Sequence, residues 1–380
     1  MSKKKNINID QPIMGKPLRK FRILVAPLDW GLGHATRCIP IIQSLLAQGV
    51  EVWLAGEGLQ KELLQQEFQK LPFLQLEGYR VKYASSAIGL LLSIFQQTNK
   101  IVSAIKREKK WLKKAIQEHG FDAVISDNRY GLYHAAIPCI FITHQLTIKS
   151  PLGKWTENIL QKSNYKYINR FTECWIPDTE NEDNLTGLLS HQLKKPAVPL
   201  RYIGIQSRFQ LSEAEEKRGH LLIILSGPEP QRSILEDKII TEIAHYPLTA
   251  TIVRGLPGLE SVIPSTGMIK FFNHLPAAEL NKEMQQAEYI VGRCGYSSVM
   301  DIVKMRKKNI LIPTPGQTEQ EYLANYLFQK KIAYCVLQKD FSLTAALRDV
   351  QEFTYQFPTD TSSKPLEEAI SNLLFVLSVQ

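Results

Sequence analysis

Two short segments of this 380-residue chain place glycines and small polar side chains where a backbone can hold an anion. Gly31-Leu-Gly-His34 follows the apolar run Phe21-Arg-Ile-Leu-Val-Ala-Pro27. Glycines let a chain turn tightly out of a strand, and the helix that follows offers unpaired N–H groups to an anion or a carbonyl. Without a third glycine and an acidic residue about 20 positions on, the segment is no dinucleotide motif. His34 taken alone suits a loop or capping position as well as a chemical one. Arg293-Cys-Gly-Tyr-Ser-Ser-Val-Met-Asp301 sets Gly295, Ser297 and Ser298 where a strand meets a helix N-terminus, which suits a diphosphate, with Asp301 one turn on and able to accept from ribose hydroxyls. The same residues also suit a helix capped by Ser297 or Ser298 with Asp301 in its first turn.

Positioning these segments requires strands that end in loops and helices that begin there. Phe21–Pro27, the helical periodicity of Ile39–Gln48, Gly49 and the strand Val50–Ala55 form a βαβ unit, whose parallel strands need such a crossover. Asp122–Ser126 and Cys139–Thr143 are short apolar strands expected to flank a helical stretch. Lys194-Lys-Pro-Ala-Val-Pro-Leu200 breaks the pattern and is the expected domain junction. The pattern restarts with a strand at His220–Ser226, a Gly-Pro loop, a helix from about Arg232 to His245, and strands at Thr251–Arg254, Ile269–Phe272, Tyr289–Val291 and Asn309–Pro313. The expected fold is α/β, two doubly wound domains with parallel sheets. The expected division is a basic tail at 1–20, domains at 21–200 and 201–364, and a last amphipathic helix at 365–380 that packs back on the first domain or on its own.

Composition is that of an ordinary globular protein, 44% hydrophobic and 22% charged. The net charge of +9 comes from the first 200 residues, with 27 Lys and Arg against 17 Asp and Glu. A one-sided positive field suits phosphates or anionic lipid. With no zinc finger, basic zipper or ribonucleoprotein motif, nucleic acid is not the expected partner. The five cysteines lie far apart without a CxxC pair, and the N-terminus has no apolar signal segment, so a reducing, cytoplasmic setting is expected. No apolar run reaches the ~18–20 residues that span a bilayer. Ala87–Phe95 followed by Lys106, Arg107, Lys109, Lys110, Trp111, Lys113 and Lys114 suits either a membrane surface, through residues 87–114, or a core helix with a solvated basic face.

Together and in this order, the segments resemble the GT-B glycosyltransferases of the family-28 type, including the N-acetylglucosaminyltransferase of the lipid-linked peptidoglycan precursor and the plastid galactolipid synthases. The resemblance is strongest from Phe271 to Asn325, where the Arg293–Asp301 segment and Pro313-Thr-Pro315 followed by Gln317 and Asn325 stand at the family's spacing. It implies a GT-B fold, two Rossmann-like domains facing each other across a cleft, with the acceptor approached from the first and the nucleotide-sugar held by the second. His34 then becomes the candidate general base, since a neutral imidazole can take a hydroxyl proton as the oxygen attacks the anomeric carbon. Ser226, Gly227, Gly295, Ser297 and Ser298 would stabilise the leaving diphosphate, Phe272 and His274 grip the nucleobase, Asp301 hold the ribose, and Gln317, Glu319, Gln320 and Asn325 meet the donor sugar and phosphates. Arg232 is either a cation at the diphosphate or an exposed first-turn arginine. On the acceptor side stand Gly31, Gly33, Asn128 and His144, with Asp127 a second candidate base, an orienting group, or half of a turn-forming Asp-Asn pair. The chain departs from the family where Ser226-Gly-Pro-Glu-Pro-Gln-Arg232 carries two prolines that remove backbone donors, and where Asp301 replaces a longer Glu.

The resemblance implies inverting transfer of a hexose or N-acetylhexosamine, without metal or other cofactor, from a UDP-linked donor to a hydroxyl of a lipid-linked or other cell-envelope acceptor. The expected place is the cytoplasm, either free or peripheral at the inner face of the plasma membrane. A nucleotide-sugar epimerase or hydrolase on the same fold, and a binding protein without chemistry, are the competing readings. Acceptor, sugar, linkage and oligomeric state stay open.

Overall fold

The computed structural model describes residues 20–80, 87–211, 215–261 and 263–379. The basic tail up to residue 19 and the side chains of 87–95, both singled out in the sequence, lie outside this description. Among the described residues the first half is a seven-stranded sheet in the order β3-β2-β1-β4-β5-β6-β7, every pair parallel. Its elements are β1 (Arg22–Pro27), α1 (Leu32–Ala47), β2 (Glu51–Gly56), α2 (Gly58–Glu67), β3 (Phe73–Gln75), α3 (Ala87–His119), β4 (Ala123–Asp127), β5 (Cys139–Ile142), α4 (Lys154–Ile168), β6 (Glu173–Ile176) and β7 (Leu200–Tyr202). The second half has six parallel strands in the order β10-β9-β8-β11-β12-β13. It comprises β8 (Leu221–Ile224), α5 (Gln231–Ile243), β9 (Ala250–Val253), β10 (Ile269–Phe272), α6 (Ala277–Gln286), β11 (Tyr289–Arg293), α7 (Tyr296–Lys304), β12 (Lys308–Ile312), α8 (Thr318–Gln329), β13 (Tyr334–Cys335), α9 (Leu343–Asp349) and α10 (Lys364–Ser378).

The strands are apolar on both faces because each face is covered by helices. On the first sheet Ile23, Val25, Val52, Leu54, Ile125 and Ile140 pack against α1 and α2, whereas Leu24, Ala26, Val124, Phe141 and Cys174 pack against α3 and α4. The second sheet divides likewise, Leu222, Ile290 and Leu311 facing α6, α7 and α8, and Leu221, Ile223, Val291 and Ile310 facing α5 and α9. The first sheet runs on through β7 to Tyr202, so the crossing between sheets lies in the segment before Leu221, a little beyond the point where the prolines near residue 200 place it. α10 returns to the first domain, where Leu366, Ala369, Ile370, Leu373 and Leu377 join the core around α1.

The helical stretch expected between β4 and β5 does not form. Residues 128–138 are turns and irregular chain. Asn128 sits at φ 57, and Gly131 N–H donates to Glu108 Oε2 of α3 at 2.9 Å. Arg129 is fully buried with its guanidinium on Glu108 and on the Pro27 carbonyl, so α3 occupies the layer that a crossover helix would fill.

α10 should behave as part of the first domain's core. Ile370→Ala is expected to cost about 2–5 kcal/mol in urea unfolding of that domain, and Glu368→Ala, on the exposed face, less than about 0.5 kcal/mol.

Candidate active site

In an open parallel sheet, ligands bind beyond the carboxyl ends of the strands, at the point where strand order reverses. That point lies between β1 and β4 in the first sheet and between β8 and β11 in the second. The loop after β1 carries His34 on the first turn of α1, and β4 ends at Asp127. Their side chains meet, His34 Nδ1 lying 3.1 Å from Asp127 Oδ1. Asp127 is fully buried and ion-paired to the equally buried Arg37, whose Nε donates to Oδ2 at 2.6 Å and whose Nη2 donates to Oδ1. Burial alone would raise the carboxyl's pKa, but Arg37 and His34 outweigh it and hold Asp127 well below the usual carboxylate range. His34 keeps 14% of its side chain exposed, and among the described residues no protein group bonds its Nε2. Burial, then the Arg37 charge, lower its pKa below 6.5 against the opposing pull of Asp127. The ring is therefore neutral at physiological pH, the state a general base requires.

His144, in the loop after β5, is buried and reaches across the cleft. Its Nδ1 lies 3.0 Å from Arg37 Nη1 and its Nε2 lies 2.7 Å from Glu319 Oε1 at the start of α8. Tyr296, the first residue of α7, stacks on the His144 ring with centroids 4.3 Å apart. A nearby seam joins the two helix N-termini, since Ser297 Oγ donates to the Gly33 carbonyl at 3.0 Å. A Cβ at residue 33 would lie 2.7 Å from that hydroxyl, so glycine is required there by the close approach of α7. Neither Ser297 nor Ser298 caps α7; Gly295 is its N-cap and no side chain closes the end. The amides of this terminus stay available to an anion.

At the ends of the second sheet's strands the structure separates two arginines. Arg232 is buried, not exposed, and its charge is neutralised by Glu229 and Glu236, the latter shared with Arg254. Arg293, at the end of β11, is buried among neutral groups: Nη2 donates to the Gln231 carbonyl and Nη1 approaches that of Ile312, while Nε has no partner among the described residues. Burial lowers its pKa to about 10, which leaves it a cation at neutral pH. Thr314 Oγ1, also without a partner, flanks the same spot beside Gly227, whose φ of 100 excludes a side chain at low cost. Gln320 closes this corner, accepting from Thr314 N at 2.9 Å and donating to Gln317 Oε1 at 2.5 Å.

Asp301 is held by the interdomain segment, Ser207 Oγ–H donating to Oδ1 at 2.6 Å, and burial lifts its carboxyl pKa to about 6 against the pull of Ser207 and Arg208. Arg208 Nε is buried without a partner next to it. Phe272 ends β10, and His274 two residues on is exposed at the rim, with its pKa lowered by partial burial and by Arg208. Ser226 lies half-buried beside Gly227. Asn128 turns the chain after Asp127 and bonds through its backbone N–H to Ile142, with Gly31 in the opposite loop bonded to Asp29. Asn325 does not join the site; it is exposed on α8 and accepts from Gln329 at 3.3 Å. Sequence reasoning missed Arg37, Tyr296, Thr314 and Arg208. Arg37 was findable, because a residue three after His34 on one helix shares its face. Arg208 carried no signal.

Asp301 gives a pH test of this geometry. With its carboxyl raised from 3.8 to about 6 in the folded chain, the native state binds more protons than the unfolded one between those values. Its contribution to stability therefore falls as pH rises from 4 through 6. Asp301→Asn should flatten this part of the urea-midpoint profile, leaving the variant more stable relative to the parent chain at pH 7.5 than at pH 4.

Residues 268–373 match the family model described as Glycosyltransferase family 28 C-terminal domain. A UDP-N-acetylglucosamine--N-acetylmuramyl-(pentapeptide) pyrophosphoryl-undecaprenol N-acetylglucosamine transferase of Clostridium botulinum is 21% identical over 291 residues, 74% of this chain and 75% of its own. Among solved structures, MurG of Acinetobacter baumannii superposes with a TM-score of 0.51 at 13% identity, covering 95% of this chain and 99% of its own. The spinosyn rhamnosyltransferase SpnG complexed with thymidine diphosphate gives 0.56 at 13% identity, covering 93% and 92%. These structural likenesses show the GT-B fold, and with residues 268–373 matching the family-28 C-terminal domain the chain is similar to the GT-B glycosyltransferases of the family-28 type.

Proposed function

We propose that the protein transfers a hexose or N-acetylhexosamine, with inversion, from a UDP-linked donor to a hydroxyl of a lipid-linked acceptor at an anionic membrane surface. The observation that carries this reading is the facing of two sites across one cleft. A neutral histidine held by a buried carboxylate stands at the switch point of the first sheet, and a buried unpaired cation with an uncapped helix N-terminus stands at that of the second. In this mechanism the acceptor hydroxyl gives its proton to His34 Nε2 as its oxygen attacks the anomeric carbon from the face opposite the diphosphate. The anomeric C–O bond breaks, and UDP leaves with the bonding pair. Asp127 stabilises the imidazolium that forms, and Arg293, the Thr314 hydroxyl and the α7 amides receive the charge on the diphosphate. Protein groups thus neutralise the leaving group, and we propose that no metal is needed. The UDP and N-acetylglucosamine named in the Clostridium relative support the choice of donor, though the SpnG complex holds a thymidine nucleotide.

The lipid clause rests on the outer surface of the first domain. On α3 the residues Ala104, Ile105, Leu112 and Ala115 face the core, and Lys106, Arg107, Lys109, Lys110, Lys113 and Lys114 face solvent. α4 covers the same face of the sheet, and at its start Leu152, Trp155 and Ile159 are exposed, Trp155 by 75%. Exposed apolar side chains with a tryptophan, and a basic helix on the same face of the sheet, suit the interface of an anionic bilayer. Among the described residues no helix is long and apolar enough to cross one.

Titration calorimetry with UDP, dTDP, GDP and their sugars, with and without EDTA, tests the donor. UDP-sugar binding unaffected by EDTA is expected, weakened about 10-fold or more in Arg293→Met, since a charge-assisted hydrogen bond contributes about 1.5–3 kcal/mol. Binding of no nucleotide, or undiminished binding in the variant, contradicts the proposed donor site. Turnover of UDP-N-acetylglucosamine without any acceptor would favour the hydrolase reading if UDP is released and the epimerase reading if an epimeric UDP-sugar forms.

A further inference from the structure

Arg37 lies outside the glycine loop, one turn into α1, yet its guanidinium reaches Asp127, His34 and His144 together. Nε and Nη2 donate to the two oxygens of Asp127, Nη1 faces His144 Nδ1 at 3.0 Å, and Nη2 also faces His34 Nδ1 at 2.8 Å. A guanidinium is a donor only and does not lose its proton in a protein, so a ring nitrogen that accepts from it presents a lone pair. At His144 one arrangement satisfies every contact. Nδ1 accepts from Arg37, the ring proton sits on Nε2, and Nε2–H donates to Glu319 Oε1 at 2.7 Å. At His34 the single Nδ1 lies between a donor, Arg37 Nη2, and an acceptor, Asp127 Oδ1 at 3.1 Å. Nη2 already donates to Asp127 Oδ1, so Nδ1 need not accept from it, and in the tautomer with Nδ1–H directed at Asp127 the lone pair that a base needs sits on Nε2.

We propose that Arg37 is the positioning residue of the reaction: one guanidinium holds both the carboxylate that orients His34 and the histidine that holds Glu319, so that a single side chain sets the base of one domain and the donor-side carboxylate of the other. This rests on the reading of His34 as the base and of Glu319 as a donor contact. The charged and titratable groups that face His34 are Arg37 from α1, Asp127 from β4, His144 from the loop after β5, and Glu319 from α8, with Cys38 of α1 against Asp127. Arg37 alone among them is a permanent cation, and it opposes the imidazolium that Asp127 favours.

Long-range nitrogen–proton spectra of the full chain labelled with 15N-histidine report the tautomer and titration of each ring without substrate. In the parent chain, His34 should titrate below 6.5 and His144 should be the Nε2–H tautomer. R37Q removes the charge, so His34 should titrate at higher pH, and His144 should become a mixture of tautomers. R37K keeps the charge but has one ammonium where the fork had three directions. His34 should then keep its low titration while His144 becomes mixed, which decides the matter even if R37Q fails to fold. An unchanged His34 titration in R37Q, or a pure Nε2–H His144 in R37K, overturns the proposal. A turnover assay that removed His34 as base would leave these spectra as predicted, so the two failures are distinguishable.

Discussion

The buried ion pair between Arg37 and Asp127 is the constraint around which the first half of the molecule is arranged. Neither residue is more than 2% exposed, and both lose their hydration on folding. Removing one member of such a pair costs about 3–5 kcal/mol, because the other is left as an uncompensated charge. The pair ties the first turns of α1 to the end of β4, the two elements on either side of the strand-order reversal. Around it Leu28 N–H donates to the Asp127 carbonyl at 3.0 Å and Arg129 Nε donates to the Pro27 carbonyl at 2.8 Å, closing the carboxyl ends of β1 and β4 on each other. A doubly wound sheet supplies an opening at this point, and the charges are what fill it with oriented side chains.

The second consequence concerns how the domains meet. Beside the His144–Glu319 contact, Thr318 Oγ1 donates to the Lys149 carbonyl at 3.1 Å, Tyr296 Oη to that of Pro177 at 2.5 Å, and Leu188 N–H to Tyr322 Oη at 2.7 Å. These are polar, single contacts made largely by the N-terminal turns of α7 and α8. Beside them Leu185 and Leu189 of the first half are buried in the core of the second, so the seam combines polar contacts with apolar burial. The covalent path crosses twice, once in the segment between Tyr202 and Leu221 and once into α10. The apolar face of α10 anchors the second crossing.

The fold was legible in the sequence because the strands are short apolar runs ended by glycine or proline, and periodicity distinguishes them from the helices between. The β4–β5 connection was misread because its conformation is set by the distant Glu108, to which Arg129 and Gly131 of the connection donate, a tertiary effect that no local pattern carries. In the site, Gly33, His34, Asp127, His144, Gly295 and Ser297 stood out by type and position, and the structure brings them to one cleft. The cations did not. Arg232 and Arg293 look alike in sequence, and only the placement of Glu229 and Glu236 shows which one is neutralised.

The central claim is that chemistry comes from the first domain while the donor is held by the second. The most direct test compares His34→Ala with the parent chain in two readouts, donor dissociation constant and acceptor-dependent UDP release. Loss of a general base predicts a dissociation constant unchanged within about twofold and UDP release slowed by about 10²–10⁴-fold. Release at the parent rate would contradict the account, as would a loss explained wholly by weakened donor binding.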